Sequence, residues 1–459
     1  MDPVEGAFGS GLIEVDAIET HRPFTFWGLA RRGLAEGRPA SSLRTSVTIL
    51  DTMSDSEGAA AAEATADWPE TDPFTIESVS VEVYRAAMAR PVRTAFGAMA
   101  DRPAVVVKVR SVERGIGYGE VWCNFPAPAA EYRARLICTV VAPLIVGRRW
   151  PHPRVVFDHL SSRTEILAIQ SGERGPFSAV IAGIDIALWD MAARQAGAPL
   201  WRLLGGGTGD GSVPTYASGI GPDGALEQAR HARAEGHRAF KLKVGFGEQI
   251  DLDNLAGLRR LLGPDAPIAV DANQAWSPDE AERWASMLAP YHPMWLEEPI
   301  AASHCDDTWK KLARTSPIPL AGGENLCGES EFHGAMGHGS WAVIQPDVTK
   351  WGGISGCLPL ARRITGAGKR FCPHYLGGGI GLIASAHLLA AVGGDGLLEV
   401  DSNPNPLREG LAQPFPPLAD GRLQLSEDPG LGVCPDQALA PLRTAGETLD
   451  VSGGRAGSN

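Results

Sequence analysis

The sequence has no uninterrupted apolar run of about 18 residues, the length a helix needs to cross a bilayer, so no membrane span is expected. It also has no CxxC pair. Its seven cysteines (Cys123, Cys138, Cys305, Cys327, Cys357, Cys372 and Cys434) are scattered and odd in number. That pattern argues against a disulfide framework or a zinc site and fits a reducing cytoplasm. Positive charge is short as well: 41 Lys and Arg face 54 Asp and Glu, a net charge of −13, which disfavours nucleic acid as a partner. The first residues lack a basic stretch followed by an apolar one, so no secretory signal is expected.

What is present divides unevenly. Residues 51–73 carry seven acids, no Lys or Arg and no apolar periodicity, and such a segment cannot bury enough surface to offset its ordering entropy. Residues 1–74 are therefore expected to form a disordered extension, and Met53 is as plausible a beginning as Met1. From Thr75 the pattern turns regular. TIESVSVEVYRAAM, PAVVVKVRSV and IGYGEVW alternate as strands, with 91–102 as a loop between the first two. Ile181, Ile184 and Leu188 then line one face of a long helix that ends in glycines. Residues 75–211 read as an α+β domain. Over 212–401, eight short apolar strands (VPTYAS, AFKLKV, PIAVDA, MWLEEP, PLAGGE, WAVIQPD, RFCPHY, LLEVD) alternate with helical segments, one opening on a capping box at Ser277 and Glu280. That rhythm predicts a parallel α/β barrel. Residues 402–443 are too proline-rich to extend the barrel and are expected to return to the first domain, with 444–459 a loose tail.

The chemistry lies at the strand ends. In FKLKVG, Lys241 and Lys243 point one way while Phe240, Leu242 and Val244 point the other. Every predicted strand from the second onward ends on an ionisable residue: Lys241 and Lys243, Asp271, Glu297, Glu324, Asp347, His374 and Glu399. Barrels of this kind place catalytic groups there. Asp271, Glu297 and Glu324 are 26 and 27 residues apart, one β/α unit each, so they sit on adjacent strands. Three carboxylates about one point need a cation, and hard oxygen ligands with room for water suit Mg²⁺. Asp347 and His374, one unit apart, make a carboxylate–imidazole pair fit for general acid–base work. Of the two lysines, one would abstract a proton and the other would help hold an anion.

These motifs (KxK at 241 and 243, DxN at Asp271 and Asn273, EEP at Glu297, GEN at Glu324, PD at Asp347, then His374) resemble the mandelate racemase branch of the enolase superfamily across residues 75–443. The resemblance implies a modified TIM barrel, (β/α)₇β, with an N-terminal α+β capping domain. It implies Lys243 as base with Lys241 supporting it, Mg²⁺ on Asp271, Glu297 and Glu324, and the His374–Asp347 dyad on the opposite face of the substrate. Glu399 would bind the substrate carboxylate or its enediolate, and Asn273 would touch substrate. Substrate choice would fall to the capping domain: Arg93, Thr94, Phe96 and Met99 in 91–102, and Trp122 and Asn124 in VWCNFP. The glycine-rich YLGGGIGLIAS after His374 is longer than in mandelate racemases and, with LLEVDSNPNPLRE, looks closer to acid-sugar dehydratases and galactarolactone cycloisomerase-like proteins. The expected activity is abstraction of the proton α to a carboxylate, followed by dehydration, racemisation or cycloisomerisation, with dehydration foremost. A non-catalytic metal-binding barrel and a Schiff-base aldolase are the rivals. Expected partners are a small-molecule carboxylate and further copies of the chain.

Overall fold

The computed structural model describes residues 67–458, except 95, 96, 114, 208 and 452–454. Disorder in 1–66 therefore lies outside the described residues. β1 (Phe74–Thr94) and β2 (Gly97–Ser111) pair antiparallel, and the expected loop 91–102 is largely extended strand in that hairpin. β3 (Ile116–Val121) lies antiparallel beside β2, and β4 (Arg149–Trp150) pairs with the start of β1. Alternation places Val79, Val81 and Val83 of β1 and Val105, Val107 and Val109 of β2 in one apolar layer, which packs on the helices Pro153–Ser171 and Arg174–Gln195.

The helix Arg174–Gln195 is long and apolar enough to cross a membrane by length and composition, which no uninterrupted run suggested. It is a core helix instead: 89% of its apolar window is buried, and it carries the buried acids Asp185 and Asp190. It lies unusually close to β3 because of two glycines. A Cβ on Gly117 would stand 1.9 Å from Ala187 O, and one on Gly119 1.9 Å from Gly183 O.

The barrel strands are β5 (Ser212–Ile220), β6 (Phe240–Lys243), β7 (Ile268–Asp271), β8 (Leu296–Glu297), β9 (Leu320–Gly322), β10 (Val343–Ile344), β11 (Arg370–Phe371) and β12 (Leu398–Asp401). They run parallel in the order β12-β5-β6-β7-β8-β9-β10-β11, and a helix follows each of the first seven. This is the expected modified barrel under a capping domain. Strand parity fills its interior. Ala239, Ala269, Trp295, Ala321 and Cys372, each two or three residues before a functional strand end, form a buried layer with Tyr216 and Val343. Tyr216 and Trp295 meet edge to face at 5.4 Å. Small residues on four strands leave room for these two rings, so the functional side chains stand on a packed floor.

The chain ends differ from expectation. Where a loose tail is expected over 444–459, β15 (Arg443–Asp450) pairs antiparallel with β1, and β16 (Arg455–Ser458) pairs with β15. Within 402–443, β13 (Leu418–Ala419) and β14 (Arg422–Gln424) form a hairpin whose β14 joins β5 antiparallel, so this segment does extend the barrel sheet despite its prolines. It also returns to the capping domain, where Asp190 Oδ1 accepts the Leu431 N–H at 2.6 Å. At the other end, Trp68 belongs to the body and not to an extension. Its ring lies 5.1 Å from that of Trp189 and 6.2 Å from that of His152. Trp68→Ala is expected to cost about 2 kcal/mol, roughly half the loss for a fully buried tryptophan, and to lower the urea midpoint. An unchanged midpoint would mean that 67–73 does not pack on the body.

Candidate active site

The register of the barrel sheet puts Lys243 beside Asp271 and Asp271 beside Glu297, so the ends of β6, β7 and β8 are level. Inward parity then lets Asp271, Glu297 and Glu399 converge on Lys241 above the aromatic floor. Lys241 is fully buried. Its Nζ lies 2.5 Å from Glu297 Oε1, 2.7 Å from Glu399 Oε1 and 3.6 Å from Asp271 Oδ2, with the Tyr216 ring at 5.4 Å. Burial pulls its pKa down, but Glu297 and Glu399 outweigh that and hold it well above the ordinary lysine value.

Lys243 stands one step nearer the mouth, 14% exposed, with Nζ 2.5 Å from Asp271 Oδ2. Burial opposes its charge, while Asp271 raises its pKa. Asp271 Oδ1 accepts the Asn273 N–H at 2.8 Å, and Asn273 Nδ2 reaches Oδ2 at 3.3 Å. Glu297 Oε2 accepts Trp295 Nε1–H at 3.0 Å and Gln345 Nε2–H at 2.6 Å. Burial, opposed by Lys241 and reinforced by Asp271 and Glu399, lifts the Glu297 pKa to about 7. Glu399 also accepts from the Ser218 hydroxyl. Burial works against its charge too, but Lys241 and His374 bring its pKa down to about 2.

On the far side of the mouth, His374 Nδ1 is 2.7 Å from Asp347 Oδ2 and its Nε2 is 2.6 Å from Glu324 Oε2. Asp347 is itself aimed by Thr349, whose N–H and hydroxyl donate to Oδ1 at 2.8 and 2.6 Å. Burial disfavours the imidazolium, but Glu324, Glu399 and the hydrogen bond to Asp347 raise the His374 pKa to about 10. Asp347 and His374 are therefore in contact, and Nε2 turns to Glu324 at the mouth.

The three expected metal carboxylates end consecutive strand units at one mouth. Among the described residues, however, no three His, Cys, Asp or Glu side chains form a ready metal cluster. Asp271 and Glu297 pair with the lysines, and Glu324 pairs with His374. The donor set still fits a hard divalent cation: it is all carboxylate oxygen, on neighbouring strands, with the Glu297 pKa raised partly by the adjacent Asp271 and Glu399 charges.

Several partners were not anticipated. Glu298, buried at φ +38°, accepts from Asn325 Nδ2 at 2.9 and 3.0 Å, and burial together with Glu324 and Asp271 pushes its pKa to about 8. Its presence in LEEP was the available signal. Gln345, two residues before Asp347 and just beyond β10, was open to the parity argument that found Lys241. Lys350 follows Asp347 by three, reaching within 3.7 Å of Glu324 Oε1 and 4.8 Å of the Trp122 ring centre. Trp122 thus stacks against Lys350 and Arg133, and Asn124 Nδ2 donates to Leu376 O at 2.6 Å. Both bind the capping domain to loops of the barrel. Met99 is buried, with its sulfur 3.6 Å from Arg102. Side chains at Arg93, Thr94 and Phe96 lie outside the described residues.

Comparison with known proteins agrees with this fold. The model of the mandelate racemase/muconate lactonizing enzyme N-terminal domain matches residues 76–205, and that of the enolase C-terminal domain-like region matches 224–439. The D-galactarolactone cycloisomerase of Agrobacterium fabrum is 33% identical over 278 residues, which cover 57% of this chain and 73% of that protein. A solved mandelate racemase/muconate lactonizing enzyme from Bordetella bronchiseptica RB50 is 49% identical, with a TM-score of 0.75 over 81% of this chain and 99% of its own. The L-talarate/galactarate dehydratase of Salmonella typhimurium LT2, solved with Mg and L-lyxarohydroxamate, is 25% identical, with a TM-score of 0.73 over 89% of this chain and 99% of its own.

Removing the central ammonium leaves buried carboxylates without compensation, a change that typically costs about 3–5 kcal/mol. Lys241→Met is expected to lose that much stability in urea titration, and Lys243→Met, at the partly exposed position, distinctly less. Equal losses would contradict the buried centre.

Proposed function

This chain belongs to the mandelate racemase/muconate lactonizing enzyme family of the enolase superfamily, and on that premise we propose that it dehydrates an acid sugar by removing the proton α to its carboxylate. Relatives of this chain are acid-sugar dehydratases and cycloisomerases, and it is an enzyme of the lyase or isomerase type. The observation that carries the proposal is the pair of proton-transfer groups at one mouth, each aimed by its own carboxylate: Lys243 by Asp271 and His374 by Asp347.

Asp271, Glu297 and Glu324 would hold Mg²⁺, and solved relatives contain bound magnesium. Bound there, the ion supplies positive charge that stabilises the developing enediolate and lowers the pKa of the neighbouring ammonium groups. The chain's own groups do the rest. Lys243 Nζ takes the α-proton, and the electron pair of the C–H bond passes into the enediolate. Lys241, fixed by Glu297 and Glu399, holds the carboxylate end of the substrate. His374, oriented through Nδ1 by Asp347, donates from Nε2 to the β-hydroxyl, which leaves as water, and the enol product ketonises. Cycloisomerisation of an acid-sugar lactone, favoured by the 33% identity to such an enzyme, uses the same first step with the ring oxygen as leaving group.

Activity is expected to disappear in EDTA and return with Mg²⁺. Glu297→Gln should weaken Mg²⁺ binding in calorimetry and lower turnover by about 10²-fold or more; normal binding and turnover in that variant would remove Glu297 from the ligand set. In D₂O, His374→Asn is expected to abolish water loss yet still exchange the substrate α-proton. Lys243→Ala should lose that exchange, again by about 10²–10⁴-fold. Near-normal turnover in Lys243→Ala would end the role assigned to that lysine.

A further inference from the structure

The glycine-rich stretch that follows His374 is held by the capping domain. Glu120, next to last in β3, is 2% exposed. Its two carboxylate oxygens accept the Gly378 N–H at 2.5 Å and the Gly381 N–H at 2.9 Å, at the start of the helix Gly379–Val392. Tyr375, directly after His374, donates its hydroxyl to Gly378 O at 2.7 Å and its N–H to Glu399 Oε2 at 3.3 Å. Asn124, also from the capping domain, ties Leu376 O at 2.6 Å. The glycines make this approach possible. A Cβ on Gly378 would stand 2.7 Å from Glu120 Oε1, and one on Gly381 2.5 Å from the Tyr375 ring. Gly378 thus makes room for the Glu120 carboxylate and Gly381 for the Tyr375 ring, and the carboxylate stands where the positive end of a helix dipole favours it.

We propose that Glu120 is a positioning residue for the reaction. Through Gly378, Gly381 and Tyr375 it fixes the loop that carries the His374 backbone, and so sets where the imidazole stands without touching substrate. The proposal rests on the functional reading above, because it assigns Glu120 to the His374 half of that chemistry. Displacing a catalytic group by about 1 Å can cost on the order of 10²-fold.

The test compares two rates in the Mg²⁺-supplemented full-length enzyme: α-proton exchange with D₂O, which reads Lys243, and water loss, which reads His374. Glu120→Gln is expected to lower water loss by roughly 10- to 100-fold while exchange stays within about threefold of wild type. Gly378→Ala, which presses on the same contact from the loop side, is expected to give the same split. A merely structural role lowers both rates by one factor, and that outcome, or no change in either rate, overturns the proposal. Amide hydrogen exchange gives a readout independent of activity. Glu120→Gln should speed exchange at Gly378 and Gly381 and leave the helix Pro153–Ser171 unchanged; unchanged protection at both glycines overturns the proposal as well. If wild type neither exchanges nor dehydrates any acid sugar, the functional reading fails, and the amide exchange still decides whether Glu120 holds the loop.

Discussion

An ammonium group with no access to water stands at the centre of the barrel, and three carboxylates on three strands stand around it. A charge this deeply buried is tolerable only if fully paired. Lys241 is paired by Glu297 and Glu399 and approached by Asp271, and these carboxylates are in turn held by Gln345, Trp295, Ser218 and Asn273. The arrangement therefore constrains β5, β6, β7, β8, β10 and β12 together. Shifting any of these strands by one residue would exchange an inward partner for an outward apolar one. The same constraint gives the two proton-transfer groups a fixed frame, since Lys243 shares Asp271 with Lys241 and His374 lies beside Glu399's strand.

The capping domain meets the barrel through buried acids. Asp185 accepts the Ile354 and Ser355 N–H groups, at 2.7 and 2.9 Å, where the helix Gly353–Gly366 begins. Glu120 does the same where Gly379–Val392 begins. These two helices follow the strand units that carry Asp347 and His374, so the domain expected to choose the substrate also grips the acid–base half of the mouth. Arg102, buried on β2, pairs with Asp401 two residues beyond Glu399. The lysine half is built within the barrel itself.

Much of this was legible in the sequence, for identifiable reasons. Period-two alternation in FKLKVG places Lys241 and Lys243 inward, and spacings of 26, 27, 23 and 27 residues assign Asp271, Glu297, Glu324, Asp347 and His374 to successive β/α units. Contacts that depend on closure of the sheet were less accessible. That Lys241 would meet Glu399, or that Glu324 would turn to His374, follows from side-chain reach across the mouth, which spacing does not encode. β15 escaped notice because its sequence RTAGETLD lacks apolar alternation; its residues are half-buried or exposed at best, and its strand form comes from pairing with β1. β14 was hidden by neighbouring prolines that lie outside its three residues. The resemblance offers Asn124 for substrate through the capping domain, and spacing does not encode the hydrogen bond its Nδ2 donates to Leu376 O.

The central claim is that Asp271, Glu297 and Glu324 serve one divalent cation beside Lys241 and Lys243. Anomalous diffraction from crystals grown with Mn²⁺ in place of Mg²⁺ tests it most directly. A single strong peak within about 2.0–2.3 Å of one oxygen from each of the three carboxylates is the predicted result. A peak elsewhere in the chain, or none at the mouth with the three acids still paired to Lys241, Lys243 and His374, would contradict it.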